Sequence, residues 1–305
     1  MENDYLQSMI QLLRDLDILE PIPTGLLPVV LRDDSIRAVI FDIYGTLLIS
    51  ESGDIDESNM TTEHLKYAFQ KAHIELEADS SEEEHQILRH LLRGFTLNIK
   101  QRQRLHRKKG VTYPEVNIIE IWEEVIHCAM NQHLVKSNGY DKIKCLTFIF
   151  EVLSNQVYPM PGMEEIITGL NSNGAILGIV SNAQFYTPII MNYFLYRRHQ
   201  DDFIAGIDPS LQVYSYKEQI AKPDVKLYEK IAASLAAKRL APEECLFIGN
   251  DMLNDIYAAR QVGFKTALFA GDKRSLRLRE NMPLVRGIKP DFILTELAQL
   301  YEVLP

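Results

Sequence analysis

The sequence predicts an α/β protein: a doubly wound, mostly parallel sheet interrupted after its first strand by an all-helical insertion. Three observations carry this prediction. A short apolar run, residues 38–41, ends abruptly in Asp42, with Gly45 and Thr46 close behind. That pattern marks a buried strand whose end delivers a carboxylate into a tight turn. From about residue 50 to about residue 157 no alternating or β-branched run stands out, and helical signals accumulate instead. From Pro161 and Gly162 onward, strand and helix signals alternate, which gives a mostly parallel sheet covered on both faces.

The totals set bounds on what such a chain can be. Its 305 residues suffice for one large domain or two modest ones. A hydrophobic content of 46% and a charged content of 24% are ordinary for a soluble globular protein. The formal net charge of −10 argues against a nucleic-acid or anionic-membrane partner, while leaving room for a local basic patch that binds phosphate. Cys128, Cys145 and Cys245 are far apart and lack metal-ligand spacing, a pattern that fits a reducing compartment. The start Met-Glu-Asn-Asp lacks the basic and apolar blocks of a signal peptide. No run approaches the length of a transmembrane helix. A soluble cytoplasmic protein is expected.

Taken in order, residues 1–34 come first. Tyr5, Met9, Leu12, Leu13 and Leu16 recur at helical spacing, and Pro21, Pro23 and Pro28 stop that helix from continuing. This stretch is expected to be a helical extension, packed on the main domain or on a partner subunit, with no chemistry of its own. Residues 35–50 hold the first strand and its turn.

Residues 51–157 form the helical insertion. Ser80 and Ser81 stand three residues before Glu83 and Glu84, two overlapping capping-box patterns. Pro114 is expected to open a helix in which Ile118, Trp122, Val125, Ile126, Ala129 and Met130 make one apolar stripe. Another helix is expected over about 140–153. An insertion at this point in the chain would lie over the crevice beyond the strand ends and act as a cap. The basic run of Lys100, Arg102, Arg104, Arg107, Lys108 and Lys109 reads as a solvated helix face or loop, or as a substrate-anion patch. Trp122 reads as core.

Residues 158–305 complete the sheet. Residues 175–180 form a buried strand ending at Ser181 and Asn182, and residues 245–248 another ending at Gly249, Asn250 and Asp251. Residues 265–269 and 292–294 supply further apolar runs, with helices over about 225–235 and 253–262.

Chemistry-bearing residues sit at the strand ends and helix starts. In an open parallel sheet, ligands bind in the crevice beyond the strand C-termini. Asp42 is placed there as a candidate nucleophile or metal ligand, with Gly45 allowing close backbone approach. Taken singly, the candidates also have local structural readings. Asp42 and Asp251 could be helix N-caps, Ser181 a turn or cap residue, and Lys222 a surface lysine ahead of a Pro-initiated helix. Four motifs in this order make those readings jointly improbable: 41–46 (FDIYGT), 180–182 (VSN), 221–224 (AKPD) and 249–255 (GNDMLND).

On these motifs the chain resembles the haloacid dehalogenase superfamily of hydrolases. The resemblance covers about 35–50 and 158–305 and implies a Rossmann-like core with a helical cap at 51–157. It implies that Asp42 attacks the substrate and forms a covalent aspartyl intermediate that water hydrolyses. Three carboxylates in one crevice call for compensating cations, and Mg²⁺ is a hard ion suited to carboxylate, carbonyl and water oxygens. By resemblance its ligands are Asp42, the Tyr44 backbone carbonyl and Asp251, with Asp255 direct or through water. Lys222 would neutralise Asp42 and the oxygens of the transferring group, to which Thr46, Ser181 and Asn182 would donate hydrogen bonds.

One position departs from the phosphatase pattern. Where phosphatases of this superfamily carry a second Asp as acid and base, this chain has Tyr44, as in the metal-free 2-haloacid dehalogenase branch. A phenol, with a pKa of about 10, is poorly matched to proton transfer near neutrality. The last motif points the other way. Asp251 and Asp255, four apart, have the metal-binding form of the phosphatases. Tyr228 suits both branches.

The leading expectation is a Mg²⁺-dependent phosphatase acting on a small phosphorylated metabolite, a phosphate ester or acyl phosphate. A 2-haloacid dehalogenase-like hydrolase is the second expectation. The third is a catalytically weak binding protein on the same fold.

Overall fold

The computed structural model describes residues 2–52, 59–136, 140–197 and 202–305. It divides into two compact units. One comprises Met1–Asp17 and Ile55–Gln156, and the other Ile18–Asp54 and Val157–Pro305.

The first unit is helical: α1 (Glu2–Arg14), α2 (Thr62–Lys71), α3 (Ser81–Lys108), α4 (Ile118–Asn131) and α5 (Tyr140–Ser154). Its core is aromatic. Phe95 of α3 stacks on Trp122 of α4 with ring centroids 4.5 Å apart, and Phe150 of α5 meets Trp122 edge-on at 5.4 Å. The helix starts follow local chemistry. Ser80 caps α3 by accepting the Glu83 N–H at 3.2 Å, while the Glu83 carboxylate accepts the N–H of Asp79 at 2.9 Å. α4 begins later than expected from Pro114, because Asn117 accepts the Ile119 N–H at 3.1 Å and sets the cap there. The expected stripe is buried along α4, with Met130 half-buried. The basic run occupies the last turns of α3, where Arg102 pairs with Glu120 and Glu124 of α4. α1 packs on α5 within this unit, whereas residues 18–34 belong to the sheet unit, so the N-terminal stretch is divided between the two.

The second unit is the α/β core that the sequence predicts. Its elements are β1 (Ala38–Phe41), β2 (Leu48–Ser50), β3 (Val157–Pro159), α6 (Met163–Ser172), β4 (Ile176–Ser181), α7 (Tyr186–Tyr196), β5 (Gln212–Tyr214), α8 (Ser215–Glu218), α9 (Val225–Ala237), β6 (Cys245–Gly249), α10 (Ala258–Gln261), β7 (Lys265–Phe269), β8 (Phe292–Leu294) and α11 (Leu300–Val303). Six strands form one parallel sheet in the order β5-β4-β1-β6-β7-β8. β1 is central and all four of its residues are buried, which explains its unbroken apolar sequence. β2 and β3 pair antiparallel as a separate ribbon, which residues this short and mixed did not advertise. Residues 18–34 run as a strap along the far edge, where Val29 bridges Ile293 of β8 and Asp33 N–H donates to the Val303 carbonyl at 2.8 Å.

Neighbouring β4 and β6 place their C-terminal ends on either side of β1. Below the sheet, Ile40, Val180, Tyr228, Ile231 and Phe247 pack into one cluster that fixes α9 beneath these strands. Three of the four sequence motifs are thereby gathered at one edge of the sheet.

Candidate active site

Asp42 follows β1 directly and donates its N–H to the Ile248 carbonyl of β6 at 2.9 Å. Behind it the chain turns sharply. Gly45 sits at φ +83°, and a Cβ there would lie 2.5 Å from Ser275 Cβ and 2.7 Å from Asn250 Nδ2. Glycine is required at this position by both conformation and space. The turn brings Thr46 Oγ1 to 3.3 Å from Asn250 Oδ1, to which it donates.

Lys222 lies between two of the expected carboxylates. Its Nζ stands 2.7 Å from Asp42 Oδ1 and 2.6 Å from Asp255 Oδ1. All three side chains are nearly enclosed, at 4%, 7% and 1% exposure for Lys222, Asp42 and Asp255. Asn182, just past β4, accepts the Lys222 backbone N–H at 2.8 Å and so anchors the lysine. Ser181 Oγ makes a long 3.4 Å contact to the Asn182 carbonyl. Burial works against the Lys222 charge, but the Asp255 and Asp42 carboxylates outweigh it and raise its pKa, so the ammonium persists.

After β6 the chain enters a π-helical turn, Met252–Tyr257, a geometry that recurs at functional sites. This turn sets Asp251 and Asp255 together. Asp255 Oδ2 accepts the Asp251 N–H at 2.9 Å, and Asp251 Oδ1 accepts the N–H groups of Leu253 and Asn254 at 2.8 and 3.1 Å. Gly249 makes the close approach possible, since a Cβ there would lie 2.3 Å from the Asp255 carboxyl carbon. Burial raises the Asp255 pKa; Lys222 opposes the shift, and the Asp42 and Asp251 charges add to it. Beneath the turn, the hydroxyl of fully buried Tyr228 donates to the Asn254 carbonyl, and burial pushes its pKa up.

Two residues enter the site that the sequence did not single out. Arg279 grips Asp251, with Nη2 at 2.7 Å and Nε at 3.1 Å from Oδ2. Thr187 on α7 shares a 2.8 Å hydrogen bond with the Tyr44 hydroxyl. Arg279 is 28 residues beyond Asp251, with no spacing that links it to the motif. Thr187 lies in a helix whose first ten residues are all buried, a setting that conceals polar function.

Of the sequence candidates, Asp42, Lys222 and Asp255 are joined directly, with Asn182 behind Lys222 and Asp251 behind Asp255. Thr46 faces Asn250, and Tyr44 is engaged with Thr187. As donors for a cation, Asp42 and Asp255 converge on one position, taken by the Lys222 ammonium. With all three carboxylates ionised, they exceed Lys222 and Arg279 by one negative charge, a state that an added cation would favour. Among the described residues no three His, Cys, Asp or Glu side chains lie close enough to form a closed metal cage. A cavity of about 700 Å³ in the helical unit, lined by Lys66, Phe69, Ile74, Ser80, Glu84 and Lys136, holds none of these candidates.

Comparison with known proteins identifies the family. A family model described as haloacid dehalogenase-like hydrolase matches residues 36–263. A glyceraldehyde 3-phosphate phosphatase of Pyrococcus furiosus is 30% identical over 145 residues, 48% of this chain and 54% of that protein. One of Pyrococcus abyssi is 29% identical over 110 residues, 36% of this chain and 42% of that protein. The chain thus spans about half the length of these curated relatives. The solved structure of a 2-haloacid dehalogenase from Pseudomonas syringae pv. Tomato shares the fold at 15% identity and a TM-score of 0.50, covering 88% of this chain and 97% of that one. Among the described residues no helix is long and apolar enough to cross a membrane.

Proposed function

The chain belongs to the haloacid dehalogenase-like hydrolases, and from that premise we propose that it is a Mg²⁺-dependent phosphatase for a small phosphorylated metabolite. The observation that carries this reading is the buried Asp42–Lys222–Asp255 array at the end of β1, with its excess of negative charge. The names of the two Pyrococcus relatives point to a phosphorylated substrate of few carbons.

In this reading an Asp42 carboxylate oxygen attacks phosphorus, the bond to the leaving-group oxygen breaks, and that oxygen departs with the bonding pair. Water then attacks the aspartyl phosphate, regenerating Asp42 and releasing inorganic phosphate. Lys222, held protonated, balances Asp42 and the phosphoryl oxygens, while Thr46, Ser181 and Asn182 orient them. Mg²⁺ would be held by Asp42, the Tyr44 carbonyl, Asp251 and Asp255, and would supply positive charge to the phosphoryl oxygens. Tyr44, a phenol bound to Thr187, is a poor proton donor to a departing alkoxide. Substrates with good leaving groups are therefore favoured. The proposed organisation is a catalytic core at 35–50 and 158–305 and a substrate-selecting cap at 51–157, with the extension at 1–34 shared between the two units. A cytoplasmic location is part of the proposal.

The test is phosphate release from a panel of alkyl, aryl and acyl phosphates, in Mg²⁺ and in EDTA, with Asp42→Asn alongside. The expected result is Mg²⁺-dependent release, fastest from the better leaving groups and absent in the variant. Denaturing mass spectrometry should find one phosphoryl group on the wild-type protein during turnover. Release that persists in the variant would overturn the nucleophile. Tyr44 favours a second reading, 2-haloacid dehalogenation, and halide release without phosphate release would establish it. Binding without either reaction would identify a binding protein.

A further inference from the structure

We propose that Arg279 is a built-in competitor for the divalent cation: it holds Asp251 in a metal-excluding state, and metal binding requires it to let go. This rests on the Mg²⁺ reading above and adds a residue that the sequence motifs do not contain.

The two oxygens of Asp251 are used differently. Oδ1 caps the π-helical turn through the N–H groups of Leu253 and Asn254 at 2.8 and 3.1 Å, and Arg279 Nε reaches it only at a longer 3.3 Å. Oδ2 is the oxygen left for a ligand, and Arg279 covers it with Nε at 3.1 Å and Nη2 at 2.7 Å. A guanidinium fork matches a carboxylate geometrically and is the most competent side chain for this purpose. The pair lies at the rim, with Asp251 8% and Arg279 33% exposed.

The segment that delivers Arg279 is held by its backbone. Arg277 N–H donates to the Asn250 carbonyl at 3.0 Å, and the Met252 N–H donates to the Arg277 carbonyl at 2.9 Å. Asn250 Nδ2 donates to the Ser275 carbonyl at 2.6 Å. Arg279 itself sits at φ +52°, a left-handed conformation seldom adopted by a non-glycine residue. The backbone therefore presents the guanidinium to Asp251, and removing the side chain leaves these anchors intact.

A ligand that needs a minor conformer has its apparent affinity reduced by the fraction of that conformer. Metal affinity should therefore rise when the clamp is weakened.

The experiment is calorimetric titration of Mg²⁺ into protein freed of metal, for wild type, Arg279→Gln and Arg279→Lys, with Mg²⁺-induced shifts in Tm as an independent reading. Arg279→Gln is expected to bind Mg²⁺ about tenfold more tightly than wild type, with Arg279→Lys in between, because lysine keeps the charge and loses the fork. A merely structural role would lower the metal-free Tm and leave the Mg²⁺ affinity unchanged. Equal or weaker Mg²⁺ binding by Arg279→Gln overturns the clamp while leaving the Mg²⁺ reading intact. Absence of Mg²⁺ binding in all three proteins overturns both. Binding in the variants but not in wild type supports the clamp in its strongest form. Should Arg279→Gln fail to fold, Arg279→Lys against wild type decides by the same criterion.

Discussion

The helical unit and the sheet unit treat buried polar groups in opposite ways. In the helical unit the centre is Trp122 between Phe95 and Phe150, and its indole N–H has no hydrogen-bond partner among the described residues. Ion pairs there, such as Lys66 with Glu84 and Arg102 with Glu120, lie at the surface. In the sheet unit, charges go inside: Asp42, Lys222 and Asp255 are enclosed and bonded to one another. Surface pairs add little to stability, whereas an unpaired buried charge is heavily penalised. Interior charge in the sheet unit is paired, as Asp272 is with Arg274 and Lys222 with Asp42 and Asp255, and the helical unit is held by aromatic packing.

The strongest way to break that comparison is Lys222→Met. It leaves Asp42 and Asp255 facing each other without a cation, a change that typically costs about 3–5 kcal/mol. Activity is expected to fall by about 10²-fold or more, as when a charge-stabilising donor is lost. Denaturant unfolding and phosphate release check the two effects, and near-normal stability would show that the array is not the organising charge pair.

Next comes Trp122→Ala, expected to destabilise by about 3–5 kcal/mol through loss of its packing. Trp122→Phe should cost far less, because it also deletes the unpartnered N–H. Unfolding curves of the two variants test whether packing or polarity holds the helical unit. Similar losses in both would contradict the packing account.

Thiol reactivity sharpens the comparison at a smaller scale. Burial pushes Cys145, in the helical unit, and Cys245, in the sheet unit, each up to about 12, while Cys128 is exposed. Only thiolates react readily. Mass-resolved alkylation of native protein near neutral pH should modify Cys128 first, and modification of Cys245 at a comparable rate would refute this.

The smallest effect belongs to a surface pair. Hydrogen bonds from Lys238 and Ser210 lower the Asp208 carboxyl to about 2 from its ordinary 3.8. A folded-state pKa below the unfolded one contributes stability above the unfolded value, and that contribution is lost as the pH falls. Asp208→Asn should thus reduce stability at neutral pH by less than about 1 kcal/mol. The difference from wild type should vanish between pH 4 and pH 2 in Tm measurements. A difference that grows with acid would reverse the sign.

Local pattern made much of this molecule legible. The apolar block of 38–41 marked a strand buried on both faces, and the change of period after it marked the helices that follow. Ser80 announced the start of α3 because a cap is a contact between near neighbours. Pro114 misled for the same reason: its preference is local, but Asn117 three residues on offered a side-chain acceptor and took the cap.

The sequence by itself determined the parallel sheet with its helical interruption, and it singled out Asp42, Lys222, Asp251 and Asp255 as charged residues of the candidate site. Asp42 and Asp251 follow the apolar runs of β1 and β6, and Lys222 and Asp255 stand in short local motifs, AKPD and GNDMLND, that are legible without the fold. Tertiary structure alone decided how those charges are partnered. It placed Lys222 between Asp42 and Asp255, closed Arg279 on Asp251, turned the Tyr44 hydroxyl to Thr187, and split the N-terminal stretch between two units. These pairings join segments brought together only by the crossing of distant strands and loops, and a contact that depends on three-dimensional approach leaves no spacing in the chain.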